Sequence, residues 1–216
     1  MNPGFDPDCR RCERLAGFLD EVKSECPDYF CRPVPAFGAD DPRLLIVGLA
    51  PGMHGANATG RPFTGDYAGV LLYETLHKFG FASAPVSVSA DDDLRLIGCR
   101  ITNAVKCLPP QNKPTGAEIK TCRSFLAAEL EDFDEGGVVI ALGSIAHRSV
   151  VAAFNKRQNE APFGHAAEHD LPRGLTLIDS YHCSRYNTQT RRLTTAMFEQ
   201  VFARARELIT EPVVGA

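Results

Sequence analysis

Four cysteines in two separated pairs are the first residues whose spacing points to chemistry. Cys9 and Cys12 form a C-x2-C pair close to the N-terminus, while Cys107 follows an apolar run and Cys122 lies inside the helical pattern after it. Four thiolates brought from two distant pairs suit either a tetrahedral structural zinc or a [4Fe–4S] cluster. Burial as small apolar side chains is the plainer alternative. The chain has 8 cysteines, and in a reducing compartment metal or cluster chemistry is weighed before disulfides. Cys26 and Cys31 could displace one of the four, Cys183 is unassigned, and Cys99 is expected in the core.

A second chemical signal is GLAPGMHGANATGRPFTGDYAG at residues 48–69, a polar, glycine-rich stretch set between the apolar runs RLLIVG and VLLYETLHKF. It is far longer than a strand-to-helix connection needs. Polar residues also follow other apolar runs: Asn103, Lys106 and Cys107 in TNAVKC, and Tyr181 and His182 in SYHCSRYNTQTRRLT. Such groups suit a ligand the size of a nucleobase.

The elements that must hold these residues read as an α/β fold. Strands are predicted at 44–49, 101–105, 138–142 and 175–178, each with a turn and a helical pattern behind it, as in a parallel sheet covered by helices on both faces. Helices are predicted at 7–25, 69–79, 116–130, 144–154 and 191–209, with Thr115 and Glu118 forming a capping box. Residues 26–42 and 83–93, rich in Pro, Asp and Ser, read as surface loops. Ligands of open α/β sheets bind beyond the carboxyl ends of the strands, where the interesting residues cluster here.

The totals set limits. A length of 216 residues fits one domain, and no apolar window approaches a membrane span or a secretory signal, so a cytoplasmic protein with no membrane association is expected. The net charge of −4 argues against an all-over basic coat but leaves room for a local basic groove.

Taken together, the N-terminal C-x2-C, GLAPGMHGANATGRPFTGD at 48–66, TNAVKCLPPQNKPTGAEIKTC at 102–122 and YHCSRYNTQTRRLT at 181–194 resemble the uracil-DNA glycosylase superfamily, most closely its family 5, the iron–sulfur type. The resemblance implies a three-layer α/β/α sandwich with a central four-stranded parallel sheet. It implies a single domain over 1–216, with a [4Fe–4S] module built from the N-terminal helix and residues 107–122 and ligated by Cys9, Cys12, Cys107 and Cys122; zinc is the alternative. The implied activity is that of a monofunctional DNA repair glycosylase, a monomer acting on single- or double-stranded DNA and cutting the N-glycosidic bond of uracil, with other deaminated bases open.

The same resemblance assigns roles. Phe63 stacks on the flipped base, Asn103 reads its edge, and His182 donates to the uracil O2 while backbone around Gly48, Leu49, Ala50 and Gly52 approaches it. Because Ala50 stands where other branches carry a water-activating side chain, Asp66 is expected to activate the water, with Asn57 and His54 as alternatives. Arg185, Tyr186 and Asn187 occupy the wedge loop, and Arg191 with Arg192, Lys106, Lys113, Lys120 and Arg123 is a candidate phosphate contact. Cys183 replaces the usual proline after the motif histidine and removes a fixed φ there. Two rivals are a non-catalytic damage-binding protein and a nucleotide-binding hydrolase; the second lacks G-x-x-x-x-G-K-[ST] and G-x-G-x-x-G.

Overall fold

A computed structural model describes residues 4–210. Four parallel strands form its centre: β2 (Leu44–Gly48), β3 (Cys99–Asn103), β4 (Val138–Leu142) and β6 (Thr176–Ser180), side by side in the order β3-β2-β4-β6. Two short strands, β1 (Phe37–Gly38) and β5 (Glu168–Asp170), close the edges antiparallel to β3 and β6, so the sheet is mixed and has six strands. The expected four-stranded parallel sheet is thus the core of a wider one. The edge strands escaped the sequence reading because two or three residues carry no periodicity.

Alternation along each central strand feeds two cores. Leu44, Ile46, Ile101, Ile140 and Ile178 point to one face, where helices α3 (Tyr67–Lys78) and α7 (Thr195–Thr210) bring Leu72, Leu76, Phe198 and Phe202. Leu45, Val47, Val139, Ala141 and Leu177 point to the other, beneath α4 (Gly116–Glu131) and α5 (Ser144–Ala153), which bring Leu126, Leu130, Val150 and Val151. Both faces are buried, which is why the strands read as nearly continuous apolar runs. Among the described residues no helix is long and apolar enough to cross a membrane.

Two predicted helix starts move. Helix α1 spans Glu13–Glu25 rather than starting at Pro7, since Cys12 sits at φ −110°, ψ 93°, outside the helical region. Helix α7 starts at Thr195, not Arg191: Arg191 adopts φ 56°, and the Thr194 hydroxyl accepts from the Met197 amide at 3.2 Å. Arg191 and Arg192 therefore precede the helix instead of occupying its first turn. The capping box of α4 is as read, with the Glu118 amide donating to Thr115 Oγ1 at 3.3 Å and the Thr115 amide to Glu118 Oε2 at 2.7 Å. Arg14 of α1 donates to both carboxylate oxygens of the same Glu118, at 2.8 and 2.7 Å, tying the N-terminal helix to α4.

Candidate active site

The carboxyl ends of the four parallel strands deliver the site. Gly48 and Asn103 are direct register partners at the ends of β2 and β3. Gly143, just past β4, takes φ +94°, and a Cβ there would lie 3.3 Å from the His182 Cβ, so His182, two residues beyond β6, packs over the end of β4. Gly48 is needed for a similar reason: its Cβ would stand 2.4 Å from Asn103 Oδ1 and 2.8 Å from the Phe63 ring.

The glycine-rich stretch folds as a compact, pinned loop. It contains a short helix α2 (Ala56–Thr59) closed by Gly60 at φ 78°. Buried Arg61 pairs with Asp92, donates to the Ala90 carbonyl at 2.6 Å, and lies 4.3 Å from the Phe37 ring centroid. Segment 83–93, read from sequence as surface loop, therefore clamps the motif. Phe63 takes φ 58°, and its carbonyl oxygen fills the space where a Cβ on Gly69 would stand, at 1.8 Å. A non-glycine residue held in the left-handed region beside a cleft is a common mark of a functional constraint.

These elements enclose a cavity of about 360 Å³ lined by Leu49, Ala50, Gly52, Phe63, Asp66, Asn103, His182 and Arg185, all singled out from the sequence. Tyr67, Asn112 and Ser184 also line it and were missed. Asn112 takes φ 56°, a conformation asparagine tolerates better than most residues, and that tendency was the available signal. The Phe63 and His182 rings stack with centroids 6.1 Å apart and planes at 27°. Desolvation lowers the His182 pKa to about 4, so the imidazole is neutral at ordinary pH.

Asp66 occupies the N-cap position of α3, but its side chain makes no capping hydrogen bond. The carboxylate turns instead onto the backbone of Gly52 and Gly55, where Cβ atoms would come within 2.5 and 2.0 Å of it. Burial pushes its pKa above the ordinary carboxylate value, with the Ala56 amide and His54 pulling the other way. His54 is exposed and its Nδ1 lies 2.8 Å from the Tyr29 hydroxyl.

Other expected site residues lie elsewhere. Asn57 is fully buried beneath the loop, with its Nδ2 3.4 Å from Cys31 Sγ, and does not line the cavity. Asn187 donates from Nδ2 to the His182 carbonyl at 2.8 Å, bracing the histidine. It belongs to α6 (Arg185–Gln189), a short helix missed in the sequence, whose Tyr186 is 71% exposed. Lys106 is not available to phosphate: it is 1% exposed and pairs with Glu129 at 2.7 Å. Cys183 is fully buried in the core that also holds Ile178, Leu193, Phe198 and Cys99.

Residues 35–206 match the Uracil DNA glycosylase superfamily. The chain belongs to that superfamily. It is 47% identical over 205 residues to a Type-5 uracil-DNA glycosylase of Thermus thermophilus, covering 93% of each chain. A Mycobacterium bovis protein of the same description is 43% identical over 209 residues, covering 93% of this chain and 78% of that one. The corresponding Pyrobaculum aerophilum protein is 41% identical over 201 residues, covering 91% and 87%.

A second cavity, small and apolar, gathers Cys9, Cys12, Cys107 and Cys122 beside Leu15 and Phe125. Cys9 accepts from Arg11 Nε at 3.3 Å and Cys122 from the Lys106 amide at 3.2 Å. Burial, with the neighbouring thiols adding to it, pushes Cys107 up to about 12. Thiols crowded this way repel one another once ionised, and a bound cation removes that penalty. Ala50 packs against the same group and also lines the cavity at the strand ends.

Proposed function

We propose that the protein is a uracil-DNA glycosylase that hydrolyses the N-glycosidic bond of uracil in DNA and leaves an abasic site. The observation that carries this reading is the meeting of Phe63, Asn103, His182 and Asp66 on one cavity of nucleoside size. A flipped nucleotide enters it, with Phe63 against the base face and the Asn103 amide, which offers both a donor and an acceptor, on the pyrimidine edge. As the C1′–N1 bond breaks, the sugar gains oxocarbenium character and the base leaves as an anion. His182, neutral because it is desolvated, donates an N–H to O2 of that anion. Water adds to C1′ and gives its proton to Asp66, whose raised pKa makes it a better base than an ordinary aspartate while its charge offsets that of the sugar. Uracil then takes a proton from solvent. Asn187 holds the His182 main chain in place, and the α6 segment with Tyr186 fills the gap in the stack.

The four thiols at Cys9, Cys12, Cys107 and Cys122 would hold a [4Fe–4S] cluster, making the N-terminal segment and residues 107–122 one module of a single domain. A set of four thiolates with no imidazole among them suits such a cluster, and a tetrahedral zinc is the alternative occupant. When bound, the cluster stiffens the scaffold behind Ala50 and carries no bond-breaking step.

The test is to incubate the purified holoprotein with a uracil-containing oligonucleotide and then treat it with alkali. Scission at uracil alone supports the glycosylase. Retention of the oligonucleotide without scission would instead indicate a damage-binding protein, and neither result would leave the nucleotide hydrolase.

A further inference from the structure

Outside the catalytic and cysteine cavities, the outer faces of α4 and α5 form a groove of about 540 Å³ that neither site uses. Arg123, Arg148, Lys156 and Arg157 line it, together with Gly116 at the first turn of α4, and no acidic side chain does. In a chain of net charge −4 this is a concentrated positive surface. Lys156 donates to the Asp170 carbonyl at 2.6 Å, and Arg157 pairs with Glu160 at 2.6 Å. Among the described residues Arg123 and Arg148 form no ion pair, and Arg123 Nε is buried without a hydrogen-bond partner. A desolvated guanidinium donor with nothing to bind is costly unless an anion completes it.

The groove begins near the end of the sheet that carries the catalytic cavity, since α4 and α5 each follow a parallel strand. Gly116 follows closely on Asn112, which lines that cavity, and α5 begins directly after Gly143, which lies against His182. Both helices then lead away from the strand ends. From Ile145 to Ala152 the floor follows α5 for about 10 Å at 1.5 Å per residue, room for about three phosphates at 3.4 Å of rise per nucleotide. Helix α4 also presents its positive end here. Only half-buried Ile119 and Ile145 are apolar lining of any size, too little for the apolar centre of a protein–protein interface.

We propose that this groove binds the phosphodiester backbone of the DNA strand where it runs on from the catalytic cavity, with Arg123 and Arg148 as direct phosphate contacts. The inference rests on the glycosylase reading. The groove adds length-dependent affinity, not chemistry, because none of its residues reaches the reacting base.

The test compares the wild-type holoprotein with Arg148→Glu and, separately, Arg123→Gln, on uracil oligonucleotides of two lengths. One of about 30 nucleotides reaches the groove, and one of about 6, filling about 20 Å, covers the cavity alone. Arg148→Glu is expected to weaken the long DNA about tenfold and to lower the slope of log affinity against log salt by about 0.7 to 0.9 for each phosphate no longer neutralised. Binding of the short DNA and the single-turnover rate of uracil release should change less than twofold. Arg123→Gln should act in the same direction without reversing a charge. Equal loss on both lengths, or no loss on either, overturns the proposal; the second outcome would leave the groove to an acidic protein. If the wild type releases no uracil from the long DNA, it is the glycosylase reading that fails, independently of the groove.

Discussion

The Asp66 carboxylate rests directly on the backbone of Gly55, so closely that a Cβ on Gly55 would stand 2.0 Å from the carboxylate carbon. A residue in the N-cap position of α3 has turned away from capping and toward the catalytic cavity, and two glycines of the same loop leave the space it occupies. The loop residues and the acid form one device.

Gly55→Ala is therefore expected to behave like loss of the acid. The methyl group displaces the carboxylate by an ångström or more, and misplacement of that size costs up to about 10²-fold in rate. Single-turnover uracil release beside a thermal melt checks this. A normal rate would show that the Asp66 position is not critical.

Asp66→Ala should lower cleavage by roughly 10²-fold or more with DNA binding largely kept. Near-normal turnover would remove Asp66 from the mechanism.

The pH profile follows from two opposite shifts. Asp66 must be ionised to accept a proton, and because burial raises its pKa, the rate should rise with pH through a value above the ordinary aspartate figure of about 3.9. His182 must be neutral, which its pKa of about 4 allows at every higher pH. The profile of kcat/KM should therefore show no histidine step near the free-imidazole value of about 6.5. A step there that vanishes in His182→Asn would contradict the assigned protonation state.

Lys106 and Glu129 form a fully buried pair, and Lys106 Nζ also donates to Thr102 Oγ1. Lys106→Met removes one partner of this buried pair and should cost about 3 to 5 kcal/mol in urea denaturation. Replacing both, as Lys106→Met with Glu129→Leu, should recover most of that loss. If the single variant is as stable as the wild type, the pair contributes nothing to stability.

For the cysteine cavity, protein isolated without oxygen should be brown and hold about four iron and four sulfide per chain. Cys107→Ala should lower iron content and soluble yield before it affects the chemistry of the remaining holoprotein. Colourless protein containing zinc would replace the cluster assignment.

Much of this was written along the chain. Apolar runs bounded by turns revealed the four central strands, since a strand buried on both faces needs apolar residues at almost every position. Thr115 and Glu118 marked their helix because a capping box is a contact between near neighbours. The residues around the catalytic cavity were legible because each follows a strand, and parallel strands place those ends together.

Tertiary structure decided what depends on residues far apart in sequence. It buried Asn57 and Lys106, which look in sequence like an amide and a cation free for substrate, because the depth of a polar group depends on what packs over it. It also set Arg61 against Asp92, converting a loop that reads as solvated surface into the clamp on the catalytic motif. The sequence alone determined which chemical groups the site holds and the order in which strands deliver them. Only packing across the sheet ends decided which groups meet, because pairing and desolvation arise between segments with no local pattern in common.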